Sequence, residues 1–126
     1  SGIQVKYKDF TLDGLLKAFA KLMLKRESLK SETDAAREIP RDRFTVPEKI
    51  NYIRETVREK ERVQFEELFE DSASKAEIVT TFQELLELLK HQVLIVSQEE
   101  IFSSITIMKN PNRSEDEEIG EIDEYN

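Results

Sequence analysis

Twenty-seven carboxylates and one histidine are the groups in this 126-residue chain that could do acid–base or metal chemistry. Their spacing does not organise them for it. Glu55, Arg58, Glu59 and Arg62 alternate in sign on the polar face of a predicted helix, as a solvated face does, whereas a catalytic pair of carboxylates stands apart from bases. His91 has no second His nearby and the chain has no Cys, so no metal-ligand set can be drawn around it. At the end of a predicted helix its expected role is to meet the last free carbonyls. The three glycines are scattered and build no phosphate loop. The chain reads as non-enzymatic, with no metal and no cofactor.

Charge is the next constraint. The net charge is −8 and unevenly spread. Residues 1–45 carry ten bases and seven acids, residues 46–108 seven bases and thirteen acids, and residues 114–126 seven acids and no base. The middle and the end of the chain therefore repel phosphate. The absence of cysteine rules out disulfides and thiolate metal sites and fits a reducing, cytoplasmic setting. No apolar run approaches the roughly 20 residues of a membrane span, and no signal peptide is present. Ser1-Gly2 resembles the residue of a cleaved tag, which suggests a fragment of a longer protein.

The periodicities give four segments. Residues 1–30 hold an amphipathic helix from Thr11 to about Leu29, capped by Asp9 or Thr11. Leu12, Leu15, Leu16, Phe19, Leu22 and Met23 share one face, and Lys17, Lys21 and Lys25 form a basic stripe beside it. Leu15, Phe19 and Leu22 have helix-in-groove spacing, so this face calls for a cover: a partner, a second copy, or the rest of the chain. Residues 31–43 are a polar linker. Residues 110–126 are an acidic tail whose composition predicts disorder.

Residues 44–109 carry the fold. Thr45 and Glu48 form a capping box, and Pro47 suits the first helical turn. Val46, Ile50, Ile53 and Val57 follow as the apolar stripe. Arg62–Phe65 is a short strand, and Phe65–Phe69 begins a short helix. A second capping box, Ser74 and Glu77, opens a long helix ending at His91-Gln92. Val93–Val96 and Ile105–Met108 are β-branched strands. Helix, short strand, short helix, long helix, strand, strand is the order of a winged helix. The fold class is mainly α (α+β): a C-terminal winged-helix domain preceded by a separate amphipathic helix. Ile50, Ile53, Val57, Leu68, Ile78, Leu85, Leu89, Ile95 and Ile107 are the expected core. Val79, Phe82 and Leu86 form an apolar flank beside the long helix's core stripe, a candidate interface. A DNA-reading long helix needs Lys or Arg, and Ser74–Lys90 carries Lys75, Glu77, Glu84, Glu87 and Lys90.

Two stretches carry a family resemblance. Glu77–Lys90 (EIVTTFQELLELLK), followed by Val96–Ile105 (VSQEEIFSSI), resembles the C-terminal winged helix of bacterial segregation and condensation protein A (ScpA), the kleisin subunit of the SMC condensin complex. Asp9–Leu12 and Leu15–Phe19 resemble the helix that precedes it, at the end of the kleisin middle region. The resemblance implies docking on the SMC ATPase head through Phe82 and Leu86; Val79, one turn earlier on the same flank, joins them as a candidate, and Ile101 and Phe102 in the wing are the next candidates. It implies ScpB as a candidate partner for Leu15, Phe19 and Leu22, and a cytoplasmic, nucleoid-associated role in closing the SMC ring for chromosome condensation and segregation. It implies neither sequence-specific nucleic-acid binding nor a membrane. The alternative is a winged-helix nucleic-acid-binding regulator with an N-terminal dimerisation helix, which the acidic long helix disfavours.

Overall fold

In the computed structural model, residues 10–33, 44–72, 74–98 and 104–113 are described. The elements are helix α1 (Phe10–Thr33), helix α2 (Val46–Lys60), strand β1 (Arg62–Gln64), a 3-10 helix (Phe65–Phe69), helix α3 (Lys75–Lys90), and strands β2 (Leu94–Ser97) and β3 (Thr106–Lys109). The architecture is mainly helical with one small antiparallel sheet, in the order β1-β3-β2.

Local chemistry sets these boundaries. The α2 capping box is complete: the Thr45 hydroxyl accepts from Glu48 N at 3.2 Å, and Thr45 N donates to the Glu48 carboxylate at 2.9 Å. Pro lies in its first turn. Helix α2 stops at Glu61, which takes a positive φ of 67°. The start of α3 is held by Ser74 and Glu77. Ser74 Oγ accepts from Glu77 N at 3.1 Å, and a Glu77 carboxylate oxygen pairs with the buried Lys49 Nζ at 2.8 Å, a charge-assisted bond. Helix α1 runs four residues past the expected Leu29, taking in the start of the expected linker, since no Pro or Gly intervenes to stop it. Both late strands sit one residue later than the sequence pattern suggests.

The sheet pairs Val63 with Ile107 and Ile107 with Val96, all buried on its inner face. The outer face carries Arg62, Met108 and Ile95. Ile95, expected in the core, is therefore only half-buried: side chains alternate along a strand, and its neighbours Leu94 and Val96 take the inward positions. The other eight expected core residues are all buried. Phe65, Phe69, Leu88 and Val93 complete the cluster.

The core includes α1. Leu15 is 1% exposed, and Ala18, Phe19, Leu22 and Met23 pack against the cluster. The helix read as separate is covered by its own chain. Its outer flank keeps Leu12, Leu16 and Leu24 in solvent, the last at 70% exposure.

Candidate interaction surface

The candidate surface is built around the seam between α1 and α3. Helix α3 presents Ile78, Phe82, Leu85 and Leu89 inward at helical spacing, and its next-door positions Val79 and Leu86 are half-buried. Over this face lies Phe19 of α1, its ring stacked on Phe82 at 4.1 Å between centroids and 7° between planes. Phe65 meets Phe82 edge-on at 6.0 Å, and Phe69 tilts against both Phe19 and Phe65. Offset and edge-on aromatic pairs each add about 0.5–1.5 kcal/mol beyond burial. Phe82 is consequently 5% exposed.

The sequence-derived interface residues thus separate into three groups. Phe82 is interior, under Phe19. Val79 and Leu86 remain at its edge, within reach of a partner. Ile101 and Phe102 lie outside the described residues. Of the proposed partner-facing residues of α1, Leu15 is buried against the chain, while Phe19 and Leu22 are half-buried on the same seam. In sequence, the apolar face of α1 leaves three covers open, a partner, a second copy or the rest of the chain, and the apolar flank of α3 is a candidate interface. To a large extent they cover each other.

Sequence reading missed the aromatic cluster. Phe65 and Phe69 are four apart, which offers a signal for two rings on one side of a short helix, but nothing in the local pattern says that Phe19 will join them. It also missed Lys49. This lysine is 7% exposed, ion-paired with Glu77, and stands 5.2 Å from the Tyr52 ring centroid.

Between α1, the 3-10 helix and the ends of β2 and β3 runs an open groove of about 740 Å³. Leu22, Phe69, Ile78 and Ile105 floor it, Lys17, Lys21, Lys25 and Arg26 line it along α1, and Glu66 and Glu70 stand opposite.

His91 sits at the C-terminus of α3; its Nε2 stands 3.4 Å from the Glu87 carboxylate, and its backbone oxygen accepts from Arg113. Among the described residues no three His, Asp or Glu side chains converge to hold a metal. Glu84 is the one acid buried on α3. Burial pushes its carboxyl above the usual range, with the negative charge of Glu87 adding to the shift. Among the described residues its Oε1 has no hydrogen-bond partner. No described helix is long and apolar enough to cross a membrane.

The family model for segregation and condensation protein ScpA matches residues 4–109, and the chain belongs to that family. Segregation and condensation protein A of Brevibacillus brevis is 36% identical over 100 residues, covering 79% of this chain and 38% of the relative. That of Lactococcus lactis subsp. cremoris is 35% identical over 104 residues, covering 82% and 42%. That of Clostridium perfringens is 31% identical over 103 residues, with the same coverage. The chain spans about two fifths of the length of the curated relatives it matches.

Proposed function

We propose that this chain is a non-enzymatic kleisin segment that serves chromosome condensation and segregation by docking on the ATPase head of an SMC protein. The observation that carries this reading is the family match over residues 4–109. Residues 44–109 act as a winged helix in this reading. Helix, strand, 3-10 helix, helix and two strands follow one another in that order, with β3 between β1 and β2. The acidic balance of residues 46–108 supports a protein surface as the target, since a phosphate backbone is repelled by it.

Val79 and Leu86 are the proposed head contacts on α3, and Ile101 and Phe102 are proposed to join them in the contact. Phe82 backs this surface from within, and a direct contact at its ring requires Phe19 to withdraw. ScpB is proposed to meet α1 on the flank left in solvent by Leu12, Leu16 and Leu24. Leu15 is committed to the core. The compartment that follows from this role is the cytoplasm, at the nucleoid.

The test is co-expression with an SMC head and, separately, with ScpB, followed by size-exclusion chromatography. Co-elution of the wild type with the head, lost in Leu86→Arg, supports the reading. Co-elution that survives Val79→Arg with Leu86→Arg moves the contact off α3.

A further inference from the structure

Helices α1 and α3 run antiparallel along one seam. Phe19 stacks on Phe82 in the middle of it, and Glu27 pairs with Lys75 at 3.6 Å towards one end. Eight residue steps on α1 and seven on α3 separate these two contacts, about 12 Å and about 10 Å of helix. Phe19, Met23 and Glu27 are four apart, so they form one row on α1 along that stretch of α3. Met23 therefore stands opposite the turn of α3 that carries Ile78 and Val79. It packs against the core and stays half-buried.

On α3, Val79, Phe82 and Leu86 lie at i, i+3 and i+7 and share one side. Val79 and Leu86 are half-buried, while Phe82 between them is 5% exposed, because Phe19 lies on its ring. The ring left half-buried at that place is the one from α1. The seam thus carries an apolar patch drawn from both helices: Phe19, Met23, Val79 and Leu86. None of the four is charged, and the charges at the Lys75 end pair with each other. Helix α1 is also held in place. It buries Leu15 to 1% exposure and packs Ala18 and Leu22 against the same core, so lifting Phe19 off Phe82 would unbury these as well. That makes α1 a fixed part of the surface and not a cover over it.

We propose that the surface offered to the SMC head is built from two helices, with Phe19 and Met23 of α1 completing the patch of Val79 and Leu86 and Phe19 as its aromatic centre. This rests on the SMC reading above. The head is the occupant because the α1 residues are continuous with Val79 and Leu86, and an uncharged patch centred on a ring suits a protein surface. Leu16, three residues before Phe19 and 48% exposed, borders the patch, so the flank assigned to ScpB adjoins the one assigned to the head.

The first measurement uses the wild-type chain. It has two methionines, Met23 and Met108, so methyl-labelled methionine gives two NMR signals, with Met108 on the outer face of the sheet as the reference. Unlabelled ATPase head of an SMC protein is added to saturation. The Met23 signal is expected to shift or broaden. Calorimetry then compares variants whose folding is checked by circular dichroism. Met23→Arg should weaken head binding by about tenfold or more, and Phe19→Leu, which keeps an apolar side chain over Phe82, by about threefold or more. Lys25→Glu, at an exposed position off the row, should bind as wild type. If a variant fails to fold, the wild-type methyl signal decides. An unmoved Met23 signal in a saturated complex overturns the proposal. So does unchanged affinity in folded Met23→Arg and Phe19→Leu while Leu86→Arg loses the head; the SMC reading then stands without it. Tighter binding by Phe19→Leu overturns it as well, since α1 is then a cover over Phe82. Loss of ScpB binding alone in Met23→Arg gives the row to ScpB and has the same effect. A folded wild-type chain that does not bind the head removes the SMC reading and this proposal together.

Discussion

Phe19 of α1 stacks on Phe82 of α3 at 4.1 Å, nearly ring-parallel. This one pair joins the helix that precedes the domain to the helix at its centre, and it changes the meaning of both. Removing the upper ring tests it. Phe19→Ala is expected to cost about 2–3 kcal/mol, below the 3–5 kcal/mol of a fully buried Phe because Phe19 is only half-buried. A double cycle with Phe82→Leu should give a coupling of about 0.5–1.5 kcal/mol by urea denaturation. A chain beginning at Lys30 should melt below the full chain for the same reason; equal melting contradicts the packing.

Leu86→Arg and Phe82→Arg should differ sharply. Leu86 is half-buried, and an arginine there can carry its charge out to water along its own stem. At Phe82 the charge is trapped between Phe19 and Phe65 with no counter-ion. Thermal melting followed by circular dichroism should show Leu86→Arg close to wild type and Phe82→Arg largely unfolded. Similar melting of the two contradicts the placement of Phe82 in the interior.

The Lys49–Glu77 pair joins α2 to α3 at 2.8 Å, with side chains 9% and 18% exposed. Glu77→Ala leaves a buried ammonium alone and should cost about 3 kcal/mol. Replacing both partners, Lys49→Met with Glu77→Leu, should restore most of that loss, because two apolar side chains need no counter-charge. Chemical denaturation of the three variants checks it. If the double variant is no more stable than Glu77→Ala, the pair is not what joins the helices.

Glu84 gives a pH dependence whose sign is fixed by its environment. Burial raises its carboxyl pKa above the value it has in the unfolded chain. The folded state therefore favours the protonated acid. Its contribution is fully present below the unfolded carboxylate range and is lost as pH rises through the raised value. Glu84→Gln, neutral at every pH, should raise the unfolding free energy at pH 7 by an amount on the order of 1 kcal/mol, read by urea denaturation. The advantage should vanish as pH falls towards 4. A Gln variant less stable than wild type at pH 7 contradicts this account of Glu84.

What could be read from the sequence follows from which signals are local. Capping residues Thr45, Glu48 and Ser74 mark helix starts because the bonds they make lie within three residues. The stripe Ile78, Leu85, Leu89 reads correctly because one helix face repeats in sequence. The inward side of β2 does not read as clearly: Leu94, Ile95 and Val96 are all apolar, so alternation gives no phase, and Ile95 goes to the outer face by register with Met108. The partner of Phe82 is 63 residues away at Phe19, and no local pattern carries it. Lys49 and Glu77 pair across 28 positions for the same reason. The apolar surplus on α3 is visible in sequence; that most of it is spent within the chain is visible only in the fold.

The central claim is that this segment binds an SMC head and not DNA. The most direct measurement is a calorimetric titration of the full chain into the ATPase head of an SMC protein at physiological salt, paired with a titration into duplex DNA under the same conditions. The account predicts a one-to-one complex with the head, weakened about tenfold or more by Leu86→Arg, and no saturable heat with DNA. No binding to the head by the folded chain, or tight salt-sensitive binding to the duplex, would contradict it.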